Sequence, residues 1–318
     1  MKKKTTILRS MEEINICRLE PYMITGFSDA ESSFFVHLRQ SPKYKTGWEV
    51  LVSFQIHLHK KERDFLEKIR LSLGVGKIYT GSTSVELRVS SLVDLTNVVI
   101  PWFEKYPLIS KKRADFELFK QILAIMNRKE HLTIEGVRKI VAIKSSMNNG
   151  LNDKLKEAFS DTTPVERPEI KLPESITPEW LAGFVSGEGC FLIVISKSPT
   201  SKSGFGVALR FIITQNERDI ELLELIKKFL NCGAIAPSSR NCYQVRVTNF
   251  KDITNIIIPL FSNYRIGGTK LEDYLDFCRA AELMENKAHL TKEGLDTITA
   301  LRLGMNRGRV KDLVVLET

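Results

Sequence analysis

Two stretches decide how this chain is read: Ile24-Thr25-Gly26-Phe27-Ser28-Asp29-Ala30-Glu31-Ser32 and Leu181-Ala182-Gly183-Phe184-Val185-Ser186-Gly187-Glu188-Gly189. Their glutamates stand 157 positions apart, and the same offset relates Phe54 to Phe211, Ile56 to Ile213, Leu66 to Leu223 and Gly76 to Gly233. One inserted residue then changes the offset to 158. It relates Arg88 to Arg246, Ile100-Pro101 to Ile258-Pro259, Lys112 to Lys270, His131-Leu132-Thr133 to His289-Leu290-Thr291, and Met147-Asn148 to Met305-Asn306. A register held this far identifies a tandem duplication.

Each copy reads in one order. Pro21 suits a first helical turn and predicts a helix through Tyr22 to Glu31, as Pro178 does for Glu179 to Glu188. Phe34, Val36 and Leu38 alternate with Ser33, Phe35, His37 and Arg39. Over 50–59, Val52, Phe54 and Ile56 alternate with Leu51, Ser53, Gln55 and His57, so both stretches predict strands. A helix is expected near 62–72, strands near 77–80 and 85–90, and helices near 92–103, 112–126 and 134–147. The second copy repeats this order. Antiparallel strands mixed with helices give an α+β class, with a four-stranded sheet per copy and one sheet face turned to the helices. Pro164, Pro168 and Pro173 stand among charged residues and read as a stiff, extended linker. The expected division is therefore 1–158, a linker over 159–176, and 177–318.

The length of 318 residues allows about two domains. With 43% hydrophobic residues and no low-complexity tract, the chain is not disordered. No apolar run approaches a bilayer span, which excludes a membrane protein. Lys2, Lys3 and Lys4 are followed by no apolar core, so the N-terminus does not read as a secretory signal. Five cysteines without CxxC spacing argue against a disulfide framework or zinc site and fit a reducing compartment. The net charge of +9 points to a polyanionic partner, nucleic acid first, although composition alone leaves a soluble basic enzyme open. That excess is uneven: residues 1–160 hold 27 basic and 18 acidic residues, whereas 161–318 hold 20 of each.

The first helix of each copy carries small residues four apart, Gly26 with Ala30 and Gly183 with Gly187. Glycine inside a helix costs about 0.5–1 kcal/mol relative to alanine, so something must offset it. A flat stripe lets two helices approach closely, and two such helices in one chain would pack on each other. The alternative is that each rests on its own sheet. Glu31 and Glu188 occupy the C-terminal helix ends, where the macrodipole disfavours a carboxylate. Pairing the helices would also bring the acids together, which disfavours both charges. A divalent cation resolves both problems. Oxygen ligands without His or Cys point to magnesium, an ion suited to phosphodiester hydrolysis.

The two quoted stretches resemble the paired signature motifs of monomeric LAGLIDADG homing endonucleases. The similarity runs from about residue 19 to 310, through Ile-Pro, His-Leu-Thr and the Met-Asn endings. It implies two pseudo-symmetric αββαββα units with saddle-shaped antiparallel DNA-binding sheets. It also implies a monomer that cuts both strands of a long asymmetric double-stranded DNA target and leaves short 3′ overhangs. The resemblance makes Glu31 and Glu188 the metal-binding acids, with the carbonyls of Ala30 and Gly187 completing the coordination. Mg2+ is the expected ion, and Mn2+ or Ca2+ could occupy the same sites. Gln215 fits a glutamine that follows the second strand and orders water near the metals; its counterpart Leu58 cannot serve. Lys112 and Lys270 resemble the lysines that neutralise the scissile phosphates, or else are solvated surface residues. One departure is Ser32, where the motif closes with glycine, as it does at Gly189. The resemblance further implies an intron-encoded mobile element, most often of a fungal mitochondrial genome, with an intracellular location otherwise. A maturase of the same fold, binding intron RNA to assist splicing, is the alternative.

The outward strand faces are where DNA would be read. They comprise Ser33, Phe35, His37, Arg39, Ser53, Gln55, His57, Lys77, Tyr79, Glu86, Arg88 and Ser90 in the first copy. In the second they comprise Cys190, Val194, Ser196, Ser198, Arg210, Thr214, Gln244, Arg246 and Thr248. Arg, Gln, His and Ser supply the donors and acceptors that base edges require, though any exposed sheet face is similarly polar. The loops over 40–47 and 196–206 are expected to hold phosphates. Arg240 joins Arg210 and Arg246 as an expected local cation of the second copy.

Overall fold

A computed structural model of the protein describes residues 18–306 apart from 200, 202, 203 and 240; the expectation for Arg240 therefore lies outside the described residues. The chain divides into two compact units between Pro173 and Glu174.

The first unit opens with helix α1 (Pro21–Glu31), which passes directly into strand β1 (Ser32–Gln40). Then come β2 (Trp48–His59), α2 (Arg63–Leu73), β3 (Lys77–Thr80) and β4 (Ser84–Val89). The next helical run, α3, joins Leu92–Asp94, a π turn at Leu95–Val99 and Ile100–Lys105. Helices α4 (Lys112–Asn127), α5 (Ile134–Ser145) and the short α6 (Asp153–Ala158) complete the unit. The sheet is antiparallel in the order β1-β2-β4-β3.

The second unit repeats this topology: α7 (Pro178–Glu188), β5 (Gly189–Lys197), β6 (Phe205–Asn216), α8 (Ile220–Leu230), β7 (Ala234–Pro237) and β8 (Cys242–Val247). Its run α9 again joins Phe250–Asp252, a π turn at Ile253–Ile257 and Ile258–Asn263. Helices α10 (Lys270–Glu285) and α11 (Lys292–Leu303) follow, and the sheet order is β5-β6-β8-β7. The chain is thus α+β, as the alternating patterns require.

The repeated Ile-Pro explains the π turns. Proline has no N–H to donate inside a helix. The helix absorbs Pro101 by letting the Ile100 N–H reach back five residues to the Leu95 carbonyl, and the Ile258 N–H reaches Ile253 in the same way. The core of each unit is an aromatic cluster between sheet and helices. Phe34, Phe54, Phe103, Phe116 and Phe119 fill the first, and Phe191, Phe211, Phe261, Tyr274 and Phe277 fill the second. Where Phe116 is replaced by Tyr274, the added hydroxyl donates to the Ile258 carbonyl at 2.8 Å, so its burial leaves no orphan polar atom.

The Met-Asn endings are structural. Met147 and Met305 are buried, and the asparagines that follow take positive φ (47° and 54°). Asn148 donates from its side chain to the Phe34 carbonyl and from its backbone to Asp115; Asn306 does the same to Phe191 and Asp273. The chain end of α5 is thereby tied to β1 and α4. The segment after α6 does not leave at once. Val165 donates to the Ala142 carbonyl at 3.2 Å and accepts from Ser146 Oγ at 2.5 Å, so the proline-bearing stretch lies along the first unit before the second begins. No helix of the described residues is long and apolar enough to cross a membrane.

Candidate active site

Glu31 is the last residue of α1 and Glu188 the last of α7, each half-exposed and each followed immediately by a strand. A helix that stops this abruptly leaves its final carbonyls without intrahelical partners, at the negative pole of its dipole. The structure supplies a cation to these carbonyls in both units. Lys112 Nζ, on the first residue of α4, donates to the carbonyls of Ser28 at 2.9 Å and Ala30 at 3.3 Å. Lys270 Nζ, on the first residue of α10, donates to the carbonyls of Gly187 at 3.1 Å and Gly189 at 2.5 Å. Each unit therefore sets its lysine on the carbonyl that directly precedes its motif acid.

The lysines are held by groups that sequence reasoning passed over. Asp29 is buried and accepts from the backbone of Ile109 (3.0 Å) and Ser110 (3.1 Å) and from Ser110 Oγ (2.6 Å). Ser110 Oγ in turn accepts from the Lys112 N–H at 3.2 Å, which fixes where α4 starts. In the second unit Ser186 takes this place, accepting from the Gly267 N–H at 2.8 Å. The signal was present in the motif itself, as a carboxylate two residues before Glu31 matched by a hydroxyl two residues before Glu188.

The Ser32 departure has a packing explanation. Ser32 Oγ donates to the Ser28 carbonyl at 2.6 Å, and the Ser32 N–H caps the same oxygen. At Gly189 a Cβ would stand 2.5 Å from Val185 Cγ1 and 2.7 Å from the Val185 carbonyl oxygen, closer than real atoms come. Val185 occupies the position of Ser28, and its side chain and its backbone both crowd a Cβ here, so glycine fits. Backbone geometry is otherwise the same: φ −85°, ψ 164° at Ser32 and φ −72°, ψ 153° at Gly189.

The donor set fits a hard divalent cation. Each motif carboxylate belongs to the residue directly after a helix-end carbonyl, Ala30 or Gly187, and that carbonyl already takes a positive charge from an ammonium. Among the described residues no three His, Cys, Asp or Glu side chains form a metal cluster. An ion here would therefore complete its shell from carbonyls, water or a bound phosphate. Gln215 lies within β6 rather than after it. It shares the side of Phe211 and Ile213, which is the helix side, and pairs with Tyr243 at the strand's end. Its half-buried counterpart Leu58 packs against the core.

The ladders arrange the expected DNA-reading positions in rows. Ser33, Gln55, Arg88 and Lys77 stand side by side, as do His57, Glu86 and Tyr79, with Phe35 opposite Ser53. Ser53 is buried on this face, lying beneath the Gln55 amide that donates to it at 2.7 Å. Arg88 forks onto Glu86 at 2.7 Å and stacks 5.0 Å from the Tyr79 ring. Arg39 bonds Glu49 at 2.5 Å, and that hydrogen bond holds the Glu49 carboxyl below its ordinary range. Glu49 and the exposed Leu51 share this face and were not among the expected readers.

The second sheet differs. Cys190, Ile212, Arg246 and Ala234 form the row that matches Ser33, Gln55, Arg88 and Lys77, and Thr214 stands beside Gln244. Arg210 pairs with Leu192, Val194 with Ala208, and Ser196 with Gly206. Gln244 is buried; with its amide oxygen turned toward Arg246 it accepts from the guanidinium Nε at 3.1 Å. Ser90 and Thr248 stand one residue past β4 and β8, both exposed. Ser198 lies past β5 and donates to the Gly204 carbonyl at 2.9 Å, while Ser196 belongs to the strand rather than the loop.

Residues 24–123 and 181–281 match a family profile described as LAGLIDADG endonuclease. The chain is 43% identical over 301 residues to probable intron-encoded endonuclease 2 of Neurospora crassa, covering 89% of this chain and 64% of that one. It is 41% identical over 295 residues to probable intron-encoded endonuclease 3 of the same fungus, covering 91% and 55%. It thus spans about three-fifths of the length of these curated relatives. Among solved structures it is similar to the I-SmaMI LAGLIDADG homing endonuclease bound to cleaved DNA, with TM-score 0.89, 45% identity, and 92% and 98% of the two chains covered. The same enzyme has been solved on an uncleaved target with calcium ions. The I-CpaMI meganuclease bound to uncleaved DNA matches with TM-score 0.87 and 40% identity over 91% and 99% of the two chains.

Proposed function

The chain belongs to the double-motif LAGLIDADG endonuclease family, and on that premise we propose that it is an intron-encoded, single-chain homing endonuclease. In this reading it hydrolyses both strands of a long asymmetric DNA target with Mg2+, in the mitochondrion whose genome encodes it. The observation that carries the reading is the repeated trio of acid, carbonyl and lysine: Glu31, Ala30 and Lys112 in one half, Glu188, Gly187 and Lys270 in the other.

Glu31 and Glu188 would hold the metal together with the carbonyls of Ala30 and Gly187. A divalent cation on these oxygens supplies charge stabilisation at the phosphate under attack. The chain's own groups do the rest. Lys112 and Lys270 bring fixed positive charge to the place where negative charge develops on the phosphate. Gln215 orients water beside the second acid. The polar rows on the outer sheet faces read base edges, and the loops over 40–47 and 198–204 take phosphates.

The test is selection of cleaved sites from a randomised duplex library with Mg2+ present. One dominant long site, cut on both strands, is expected. Robust cleavage by the Glu31→Gln, Glu188→Gln double variant would overturn the mechanism, and tight intron-RNA binding without any cleaved site would favour the maturase reading.

A further inference from the structure

Arg167 belongs to the proline-bearing stretch between the halves and reaches back onto the first unit. Its Nη1 donates to Asp115 Oδ1 and to the Ser146 carbonyl, both at 2.7 Å; its Nη2 donates to Asp115 Oδ2 at 3.0 Å and to the Lys111 carbonyl at 3.2 Å. Asp115 is buried in the first turn of α4, and Lys111 immediately precedes Lys112. A planar guanidinium that engages both carboxylate oxygens fixes orientation as well as distance. The stretch carrying Arg167 is itself anchored through Val165 to Ala142 and Ser146. The start of α4 is thus gripped from two sides, by Asp29 through Ser110 and by Arg167 through Asp115 and Lys111.

We infer that Arg167 is a positioning residue for Lys112: the connector between the halves sets the placement of one half's phosphate-facing lysine. This inference rests on the nuclease reading for its consequence in catalysis, but the clasp itself does not. Because Arg167 grips the start of the helix that carries Lys112, its loss impairs the cut that depends on Lys112 more than the other.

The full chain is compared with its Arg167→Met and Arg167→Lys variants, with Arg138→Met as control. Arg138 pairs with Asp161 at 2.6 Å and so also ties the connector to α5, without touching α4. Amide exchange in the free protein over 111–116 should run at least about threefold faster in both Arg167 variants, with 269–274 unchanged and the control like wild type. On an end-labelled duplex recovered from the site selection, one strand should be cut about tenfold more slowly than in wild type and the other near its normal rate, so nicked product accumulates. Unchanged exchange over 111–116, or equal slowing of both strands, overturns the inference. A wild-type chain that cuts no duplex overturns the nuclease reading, while faster exchange at 111–116 still supports the clasp.

Discussion

Lys270 holds its ammonium nitrogen 3.1 Å from the carbonyl oxygen of Gly187, the residue before the second motif acid, and Lys112 stands in the same relation to Ala30 at 3.3 Å. The helix that ends at each acid would otherwise present an uncompensated negative pole beside a carboxylate. The lysine offsets it in the protein alone, and in the proposed reaction it also faces the phosphate. One side chain therefore serves the fold before it serves the chemistry. Separating these two roles needs variants read by stability and by cleavage together.

Lys112→Met and Lys270→Met should each lower stability by only about 1 kcal/mol, the scale of a helix-end charge and its hydrogen bonds. Cleavage should fall about a hundredfold or more, because a fixed cation is worth several kcal/mol to a developing charge. Denaturant melts beside single-turnover cleavage measure both. Full cleavage in either variant would remove the lysine from the reaction.

Glu31→Gln and Glu188→Gln keep the shape of the helix end and remove its charge. Target binding, followed by mobility shift with Ca2+, should stay within a few-fold of wild type. Cleavage with Mg2+ should fall by about a thousandfold, since metal affinity and metal placement both depend on the carboxylates. Weak binding of the target by the Gln variants would show instead that the acids serve recognition.

Much of this was legible in the sequence. The offset of 157, and of 158 beyond one inserted residue, places α1 and α7, the eight strands and both acids, because each is set by a local pattern that survives in duplicate. What escaped depends on partners far apart in the chain. Pro101 falls within the helix expected over 92–103, and only the backbone shows the π turn that absorbs it. Ser53 and Gln244 sit at outward positions of the alternation, yet neighbouring Gln55 and Arg246 cover them. Asp29 and Arg167 reach across 81 and 52 residues to Ser110 and Asp115, distances over which no periodicity operates.

The closing position of the motif gives a clean packing test. Gly189→Ser should destabilise the protein by about 1–3 kcal/mol, the scale of forced overpacking, since the new Cβ meets Val185. Adding Val185→Ser removes the side-chain part of that contact and should recover part of the loss. Ser32→Gly should cost less, about 0.5–1.5 kcal/mol, for one hydrogen bond and added backbone freedom. A double variant no more stable than Gly189→Ser would exclude Val185 as the cause.

Asp29→Ala removes the acceptor of two backbone N–H groups and one hydroxyl, and Ser186→Ala removes the acceptor of one N–H. Buried donors left unsatisfied cost about 1–3 kcal/mol each, more when a charged acceptor is lost. Asp29→Ala should therefore destabilise by about 3 kcal/mol and Ser186→Ala by about 1 kcal/mol. Chemical denaturation at constant m-value distinguishes them, and equal losses would mean that Asp29 does not anchor the start of α4.

Charge distribution sets the last expectation. The excess of nine positive charges lies in residues 1–160, and the remainder of the chain is balanced. Binding should weaken steeply with salt, each neutralised phosphate contributing about −0.9 to the slope of log Kobs against log salt. Lys43 and Lys45 lie exposed on the β1–β2 loop, whereas Lys228 sits on α8, which packs on the helix side of its sheet. Lys43→Gln with Lys45→Gln should reduce the steepness by about 1–2 units, and Lys228→Gln should leave it unchanged. Titrations between low and moderate salt on one duplex measure the slope. Equal slopes for all three proteins would place the phosphate contacts elsewhere on the first half.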